Sequence, residues 1–139
     1  MAGGEAKNGQ VLEEMVEAAL RHGGYSVQTQ VDVGSRPGGR RHKVDLVAAK
    51  GEHRVLVSVK WQQSRGTVEQ KVPFEVICLK EALGHGPGYA LAYLVLGGEG
   101  WQLRTFYTSG GLDRYLRDPD RVRIVTFERF IAAANQGGL

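Results

Sequence analysis

The spacing of apolar residues changes several times along the chain, and each change indicates a new secondary-structure element. From Gly9 to His22, apolar residues recur every three or four positions, which predicts an amphipathic helix. The segments that follow are rich in β-branched residues and are separated by glycine-containing turns. They predict strands over residues 25–33, 43–49 and 54–61.

The second half of the chain alternates between helical and strand patterns. Residues 67–83 predict a helix with Thr67 as its N-cap, and Pro73 is expected to bend it or to mark its true start. Residues 88–96 form a nearly continuous apolar run, which is typical of a strand buried on both faces. The remaining pattern predicts irregular structure with short helical pieces over 97–118, a strand over 121–126 and a helix over 127–134.

This order predicts an α/β fold with one mixed sheet flanked by helices. Three strands joined by short loops form an antiparallel meander, and the helix at 67–83 is then a crossover. The crossover places the strand at 88–96 parallel to a central strand. We expect one domain over residues 9–139, preceded by a small, polar and disordered segment over residues 1–8.

Composition narrows the functional classes only a little. The chain has 139 residues with 18 Lys+Arg against 15 Asp+Glu, and the net charge of +3 is compatible with nucleic acid without establishing it. The single cysteine, Cys78, lies in an apolar stretch, which indicates a buried thiol and a reducing cytoplasm. We expect no signal peptide and no membrane span, because no apolar run approaches about 20 residues.

The candidate chemistry lies in the predicted hairpin between His42 and Gln62. Asp45 interrupts one short apolar run and Lys60 ends the next, so neighbouring strands carry a carboxylate and an ammonium. Burial of an unpaired carboxylate is costly, and Asp45 is therefore expected to face a site. The alternative is a structural ion pair between the two strands.

Two motifs carry a resemblance to a known family. Val44-Asp45 and Ser58-Val59-Lys60 resemble the site of the PD-(D/E)XK nuclease superfamily, which joins an aspartate to an acid-x-lysine triplet one strand later. Residues 7–13 resemble the first-helix motif of archaeal-type Holliday junction resolvases, in which a glycine precedes a metal-binding glutamate by four positions. The resemblance implies a restriction-endonuclease-like three-layer fold.

The resemblance also implies roles for individual residues. Asp45 would bind a metal ion, Glu13 would bind it directly or through water, and Lys60 would help to activate the attacking water. The implied cofactor is Mg²⁺, with Mn²⁺ as a substitute. For Glu13, the alternative is an ordinary exposed acid on an amphipathic helix.

Ser58 departs from the pattern, because the triplet usually begins with an acid. Either the site is crippled, or the missing carboxylate comes from another element. The second arrangement resembles a branch of type II restriction enzymes, in which the triplet reads Ser-x-Lys and the glutamate lies on the following helix. Glu69 and Glu75 are the candidates here, and we expect Glu69 because it lies closer to the strand end. A helix-dipole acid is the alternative for Glu69.

Basic and polar residues on both sides of the hairpin are candidate DNA contacts. A Gly/Pro/Arg loop and the polar segment after Lys60 offer charges and amides that can hold phosphates, although a solvated loop is the alternative. The candidates are Arg36, Arg40, Arg41, Lys43, Gln62, Gln63 and Arg65.

The sequence therefore predicts a Mg²⁺-dependent DNA endonuclease, either junction-resolvase-like or restriction-like. Because one chain offers one site and two strands need two, we expect a homodimer. The rival is a non-catalytic nucleic-acid-binding module with a decayed site, for which Ser58 is the main support. A purely structural partner-binding domain is a more distant alternative.

Overall fold

Five strands form one mixed sheet with helices on both faces in the computed structural model, which describes residues 2–85, 88–117 and 121–139. In chain order the elements are α1 (Ala2–His22), β1 (Ser26–Ser35), β2 (Arg41–Lys50), β3 (His53–Trp61), α2 (Val68–Gly84), β4 (Leu91–Gly97), α3 (Arg104–Thr108), a 3₁₀ turn (Asp113–Tyr115), β5 (Val122–Thr126) and α4 (Phe127–Asn135). The predicted order of helices and strands is confirmed.

The largest difference from the predicted elements is at the start of the chain. Helix α1 begins at Ala2, whereas disorder was expected over residues 1–8. This segment contains good helix formers such as alanine, glutamate and lysine and no proline, so it continues the helix that follows. Met1 and Asp118 each fall in a predicted segment but lie outside the described residues.

The sheet has the order β1-β2-β3-β4-β5. The pairs β1–β2 and β2–β3 are antiparallel, and the pairs β3–β4 and β4–β5 are parallel. Helix α2 connects β3 to its parallel neighbour β4, as a crossover must. The predicted meander with a parallel crossover strand is thus confirmed.

Two apolar clusters cover the two faces of the sheet. On one face, α2 packs through Val72, Val76 and Leu79 against strand residues such as Leu56 and Leu94. Burial of each such side chain stabilises the fold by about 1.5–3 kcal/mol. On the other face, α1 and α4 pack against the opposite side of the same strands, with a core of Val16, Leu20, Val55, Val57 and Phe130.

The alternation along β3 fixes which layer each of its polar residues meets. Val55 and Val57 face α1 and α4, whereas Leu56 faces α2. Ser58 and Lys60 have the same parity as Leu56 and therefore lie on the α2 side. This is the arrangement that the sequence predicts for the strand.

Helix α2 runs without a break from Val68 to Gly84 with Pro73 inside it, so Pro73 does not mark its start. Proline has no backbone N–H, which leaves the carbonyl of Glu69, four residues earlier, without its usual donor. The hydroxyl of Tyr107 donates to this carbonyl at 2.8 Å. A side chain from α3 thus replaces the missing helical hydrogen bond.

The sheet opens between β2 and β3 at one end. Pairing of the two strands ends at Leu46↔Val57, although β3 continues beside β4 as far as Trp61↔Gly97. Residues 41–45 of β2 stay paired with β1 alone. Asp45 and Ser58 therefore lie on the two sides of this opening, where the strands no longer bond to each other.

Two smaller predictions concern the thiol and the membrane. Cys78 is buried on α2, as expected from its apolar surroundings. Across the described ranges, no helix has both the length and the apolar character needed to cross a membrane.

Candidate active site

At the opening, the Asp45 side chain bonds β3 in place of a backbone carbonyl of β2. Its Oδ2 accepts a hydrogen bond from the backbone N–H of Val59 at 2.7 Å. Burial raises the pKa of Asp45, and the nearby charge of Glu75 raises it further, against the Val59 N–H and the Lys60 ammonium, which lower it. The carboxylate is thus held in place but carries a charge that its surroundings do not fully compensate.

Ser58 binds the side chain of Glu75 from the neighbouring helix. The Ser58 hydroxyl, which is only 3% exposed, donates to Glu75 Oε2 at 2.8 Å. The strand position where an acid is expected therefore holds a carboxylate that comes from α2. Glu75 and Asp45 meet on the two sides of the opening.

His42 contacts the same carboxylate oxygen. Its Nε2 lies 3.5 Å from Glu75 Oε2, and the ring is 5% exposed. Among the described residues, neither ring nitrogen has a hydrogen-bond partner of good geometry. The sequence does not single out His42, because its four histidines are scattered along the chain. The available signal was its position on the buried face of β2, two residues before Val44.

The surroundings of Glu75 favour its ionised form. Burial alone raises the pKa of Glu75, but the contact with His42, the charge of Lys60 and the Ser58 hydroxyl outweigh it and hold the pKa below its ordinary value. Lys60 lowers the pKa of both Asp45 and Glu75. The structure thus brings two carboxylates and one lysine together.

Glu69 does not join this group, which corrects the expectation that Glu69, as the glutamate closer to the strand end, supplies the carboxylate missing at Ser58. Its side chain is buried, and Oε1 accepts hydrogen bonds from the backbone N–H groups of Gln102 and Leu103. Glu69 and Glu75 are six positions apart, or about 1.7 helical turns, and therefore face different directions. Glu69 fixes the segment after β4 to the start of α2.

Glu13 approaches Asp45 from the opposite layer, through α1. Burial raises the pKa of Glu13 and the charge of Asp45 raises it further. The side chain of Gln30 opposes both effects, since its Nε2 donates to Glu13 Oε1 at 3.3 Å. The Gln30 side chain also lowers the pKa of Asp45. Sequence reasoning missed Gln30, because Gln28 and Gln30 occupy equivalent polar positions in the alternating sequence of β1 and nothing distinguishes them.

Gln62 is part of the fold rather than of an accessible surface, which corrects its assignment as a DNA contact. The side chain is 1% exposed. Its Oε1 accepts from the N–H of Glu69 at 3.2 Å, and its Nε2 donates to the carbonyl of Gly100 at 2.8 Å. The chain turns inward after β3 ends at Trp61, and the amide then caps the first turn of α2.

The other candidate DNA contacts lie at or near the surface. Arg41 and Arg36 contact other side chains, and the remaining four are exposed. Arg41 forms an exposed ion pair with Asp32 (Nη2–Oδ1 2.8 Å). Arg36 lies with its guanidinium carbon 5.8 Å from the ring centre of Phe74, the residue before Glu75. The remaining four are exposed: Arg40, Lys43, Gln63 and Arg65.

A family model and three solved structures resemble this chain. The model of the PD-(D/E)XK nuclease superfamily domain matches residues 5–137. An XisH family protein from Nostoc punctiforme is 19% identical, with a TM-score of 0.55 over 86% of this chain and 94% of that one. A protein of unknown function, AF1548, is 12% identical, with a TM-score of 0.51 over 84% of this chain. This chain spans only 56% of the AF1548 chain.

The third structure is the small subunit of the heterodimeric restriction endonuclease R.BspD6I. It is 14% identical, with a TM-score of 0.46 over 91% of this chain and 77% of that one. No curated protein matches the sequence. At these identities, the likeness to the XisH family protein and to AF1548 is a likeness of fold.

Proposed function

Because the chain belongs to the PD-(D/E)XK nuclease superfamily, we propose that it is a metal-dependent DNA endonuclease. The observation that carries this proposal is the hydrogen bond from Ser58 to Glu75, which places a carboxylate from α2 beside Asp45 and Lys60. These three residue types are what the superfamily site requires.

The donor set suits a hard divalent cation. No group of three or more His, Cys, Asp or Glu side chains in the described ranges is arranged to hold a metal. Mg²⁺, however, is commonly bound by one or two carboxylates together with waters and substrate phosphates. Asp45 and Glu75 would hold it. The raised pKa of Asp45 fits this role, because a buried surplus of negative charge is what a cation neutralises.

Phosphodiester hydrolysis needs an activated water and compensation for charge on the phosphate oxygens. The metal ion, when bound, supplies Lewis acidity and lowers the pKa of a bound water. The Lys60 ammonium orients the attacking water and offsets charge that develops on the phosphate. The Ser58 hydroxyl holds the Glu75 carboxylate by a hydrogen bond, His42 lies against the same oxygen, and the Val59 N–H holds the carboxylate of Asp45.

The contact between Ser58 and Glu75 favours this proposal over the rival. A non-catalytic nucleic-acid-binding module would have no need for a relocated carboxylate, and the rival rested on Ser58 being a lost acid. Junction-resolvase-like and restriction-like substrates both remain consistent with the site.

We propose a homodimer for double-strand cleavage, and light scattering of the purified chain measures its mass directly.

The experiment is cleavage of supercoiled plasmid, linear duplex and a synthetic four-way junction with Mg²⁺ or Mn²⁺. We expect the wild type to cut at least one substrate, and we expect Asp45→Asn and Lys60→Ala each to abolish cleavage while binding persists. Glu52→Gln, in the exposed turn between β2 and β3, is the control and should cut normally. A wild type that cuts no DNA in either metal would refute the nuclease proposal.

A further inference from the structure

Gln30 has an unusual backbone conformation in the middle of β1. Its φ is +52°, and it is the one non-glycine residue with positive φ among those that the structure describes. L-residues enter this region at a cost in free energy, and outside glycine it is mainly asparagine and aspartate that tolerate it. A glutamine held there within a strand indicates that its surroundings impose the conformation.

Gln30 lies directly opposite Asp45 in the pairing of β1 with β2. The flanking register pairs are Thr29↔Leu46 and Val31↔Val44, so Gln30 and Asp45 stand between them with no residue inserted. At this point β1 exchanges faces: Val27 packs with the α1 and α4 layer, whereas Val31 packs with the α2 layer. The turn at Gln30 therefore lies where Asp45 can be approached from both layers.

The amide of Gln30 joins the two carboxylates that meet there. Its Nε2 donates to Glu13 Oε1 at 3.3 Å, and the same side chain, opposite Asp45 in the register, lowers the pKa of Asp45. An –NH₂ group has two hydrogens, so a single amide has a donor available for each acid. Without it, Glu13 would face the partly buried carboxylate of Asp45, whose charge raises the pKa of Glu13.

We propose that Gln30 is a positioning residue whose amide holds Glu13 of α1 and Asp45 of β2 together as one site. The inference rests on the proposed function in one respect, since it makes Glu13 a working part of the nuclease site. The left-handed turn aims the amide, and the hydrogen bonds to the two acids hold it. Residues that support metal-binding carboxylates in this way typically contribute about ten- to a hundredfold to activity.

The decisive variant is Gln30→Gly, which removes the amide but suits the positive φ. We expect cleavage to fall by about ten- to a hundredfold, while the unfolding temperature stays the same or rises. Gln28→Gly is the matched control, since Gln28 is exposed on the same strand and has no positive φ. It should lower the unfolding temperature, because glycine weakens a regular strand, and leave cleavage unchanged.

Two outcomes would overturn the proposal. The first is a Gln30→Gly variant that cleaves at the wild-type rate. The second is a loss of cleavage in Gln30→Gly that merely follows a fall in unfolding temperature, as a structural role would produce.

A second measurement does not depend on nuclease activity. In the metal-free protein, the side-chain amide resonance of Gln30 in a ¹H–¹⁵N spectrum should shift in Glu13→Gln and also in Asp45→Asn. A resonance that responds to only one variant, or to neither, would refute the bridge even if the wild type cleaves DNA. If the wild type cuts nothing but both variants shift the resonance, the nuclease proposal fails and the bridge stands.

Discussion

Two carboxylates beside one lysine have pKa values shifted in opposite directions. Burial raises the pKa of Asp45, whereas His42, Lys60 and Ser58 together hold the pKa of Glu75 below its ordinary value against burial. Glu75 is therefore ionised over a wide pH range, and Asp45 is the carboxyl whose charge is costly. Pairs of groups shifted apart in this way are typical of functional sites.

The raised pKa of Asp45 predicts a stability that depends on pH. A carboxyl whose folded-state pKa exceeds its unfolded value stabilises the fold below the unfolded pKa, about 3.8 here, and this contribution is lost as the pH rises through the folded pKa. We expect metal-free Asp45→Asn to be about 1 kcal/mol more stable than the wild type at pH 7. The difference should disappear in acid.

Urea unfolding in the presence of a chelator, repeated across pH, measures this difference. Added Mn²⁺ should stabilise the wild type and have little effect on Asp45→Asn, because a ligand stabilises only the state that binds it. A variant that is less stable than the wild type at every pH would show that the ionised Asp45 is well compensated, contrary to this account.

Residue types and strand parity were predictable from sequence, but the partners of Asp45 were not. Asp45 and Lys60 are recognisable because each interrupts or ends an apolar run. Gln30 is not recognisable, because its positive φ arises from tertiary packing and the sequence gives Gln28 the same pattern. His42 is not recognisable either, because what matters is its contact with Glu75 of α2, and a local sequence pattern cannot show a contact between distant elements.

At the scale of elements, the rotation of α2 about its axis decides which glutamate reaches the site. The sequence predicts the helix and its approximate bounds, since the apolar period is clear. It does not fix the rotation of the helix relative to the sheet, which depends on how Val72, Val76 and Leu79 pack. Glu69 was favoured by distance along the chain, whereas Glu75 lies on the face that meets Ser58.

The Tyr107 hydroxyl replaces the helical hydrogen bond that Pro73 removes, and unfolding experiments can test this compensation. Tyr107→Phe removes the donor to the Glu69 carbonyl, and a buried unsatisfied carbonyl costs about 1–3 kcal/mol. In a Pro73→Ala background, the new backbone N–H at position 73 can bond the same carbonyl. We therefore expect Tyr107→Phe to cost clearly less there, and a double-mutant cycle from urea unfolding gives the coupling. Equal costs in both backgrounds would contradict the compensation.

In the whole molecule, the two lysines of β2 lie at opposite ends of the strand, one near the site and one far from it. Lys43 lies at the site end of β2 and is exposed, whereas Lys50 lies at the far end, over the ring of Tyr25 and bonded to the carbonyl of Gly137. If the site end receives DNA, only the first lysine should contact phosphate. The two lysines of one strand thus make a matched pair.

The salt dependence of DNA binding separates these lysines. In the Asp45→Asn background, Lys43→Ala should reduce the slope of log K against log[salt] by about 0.9, the value for one lost phosphate contact. Lys50→Ala should leave the slope unchanged, even though it loses contacts within the fold. Fluorescence anisotropy over a salt series measures both, and equal slopes for the two variants would place the DNA elsewhere.

DNA cleavage by Glu75→Gln and by Glu69→Gln shows whether Glu75 supplies the carboxylate absent at Ser58. Both variants replace a glutamate of α2 by its neutral isostere. We expect Glu75→Gln to fold but to lose DNA cleavage by at least about a hundredfold. Glu69→Gln should keep cleavage, with at most a lower unfolding temperature. A Glu75→Gln variant that cuts at the wild-type rate, or a loss confined to Glu69→Gln, would show that Glu75 does not supply this carboxylate.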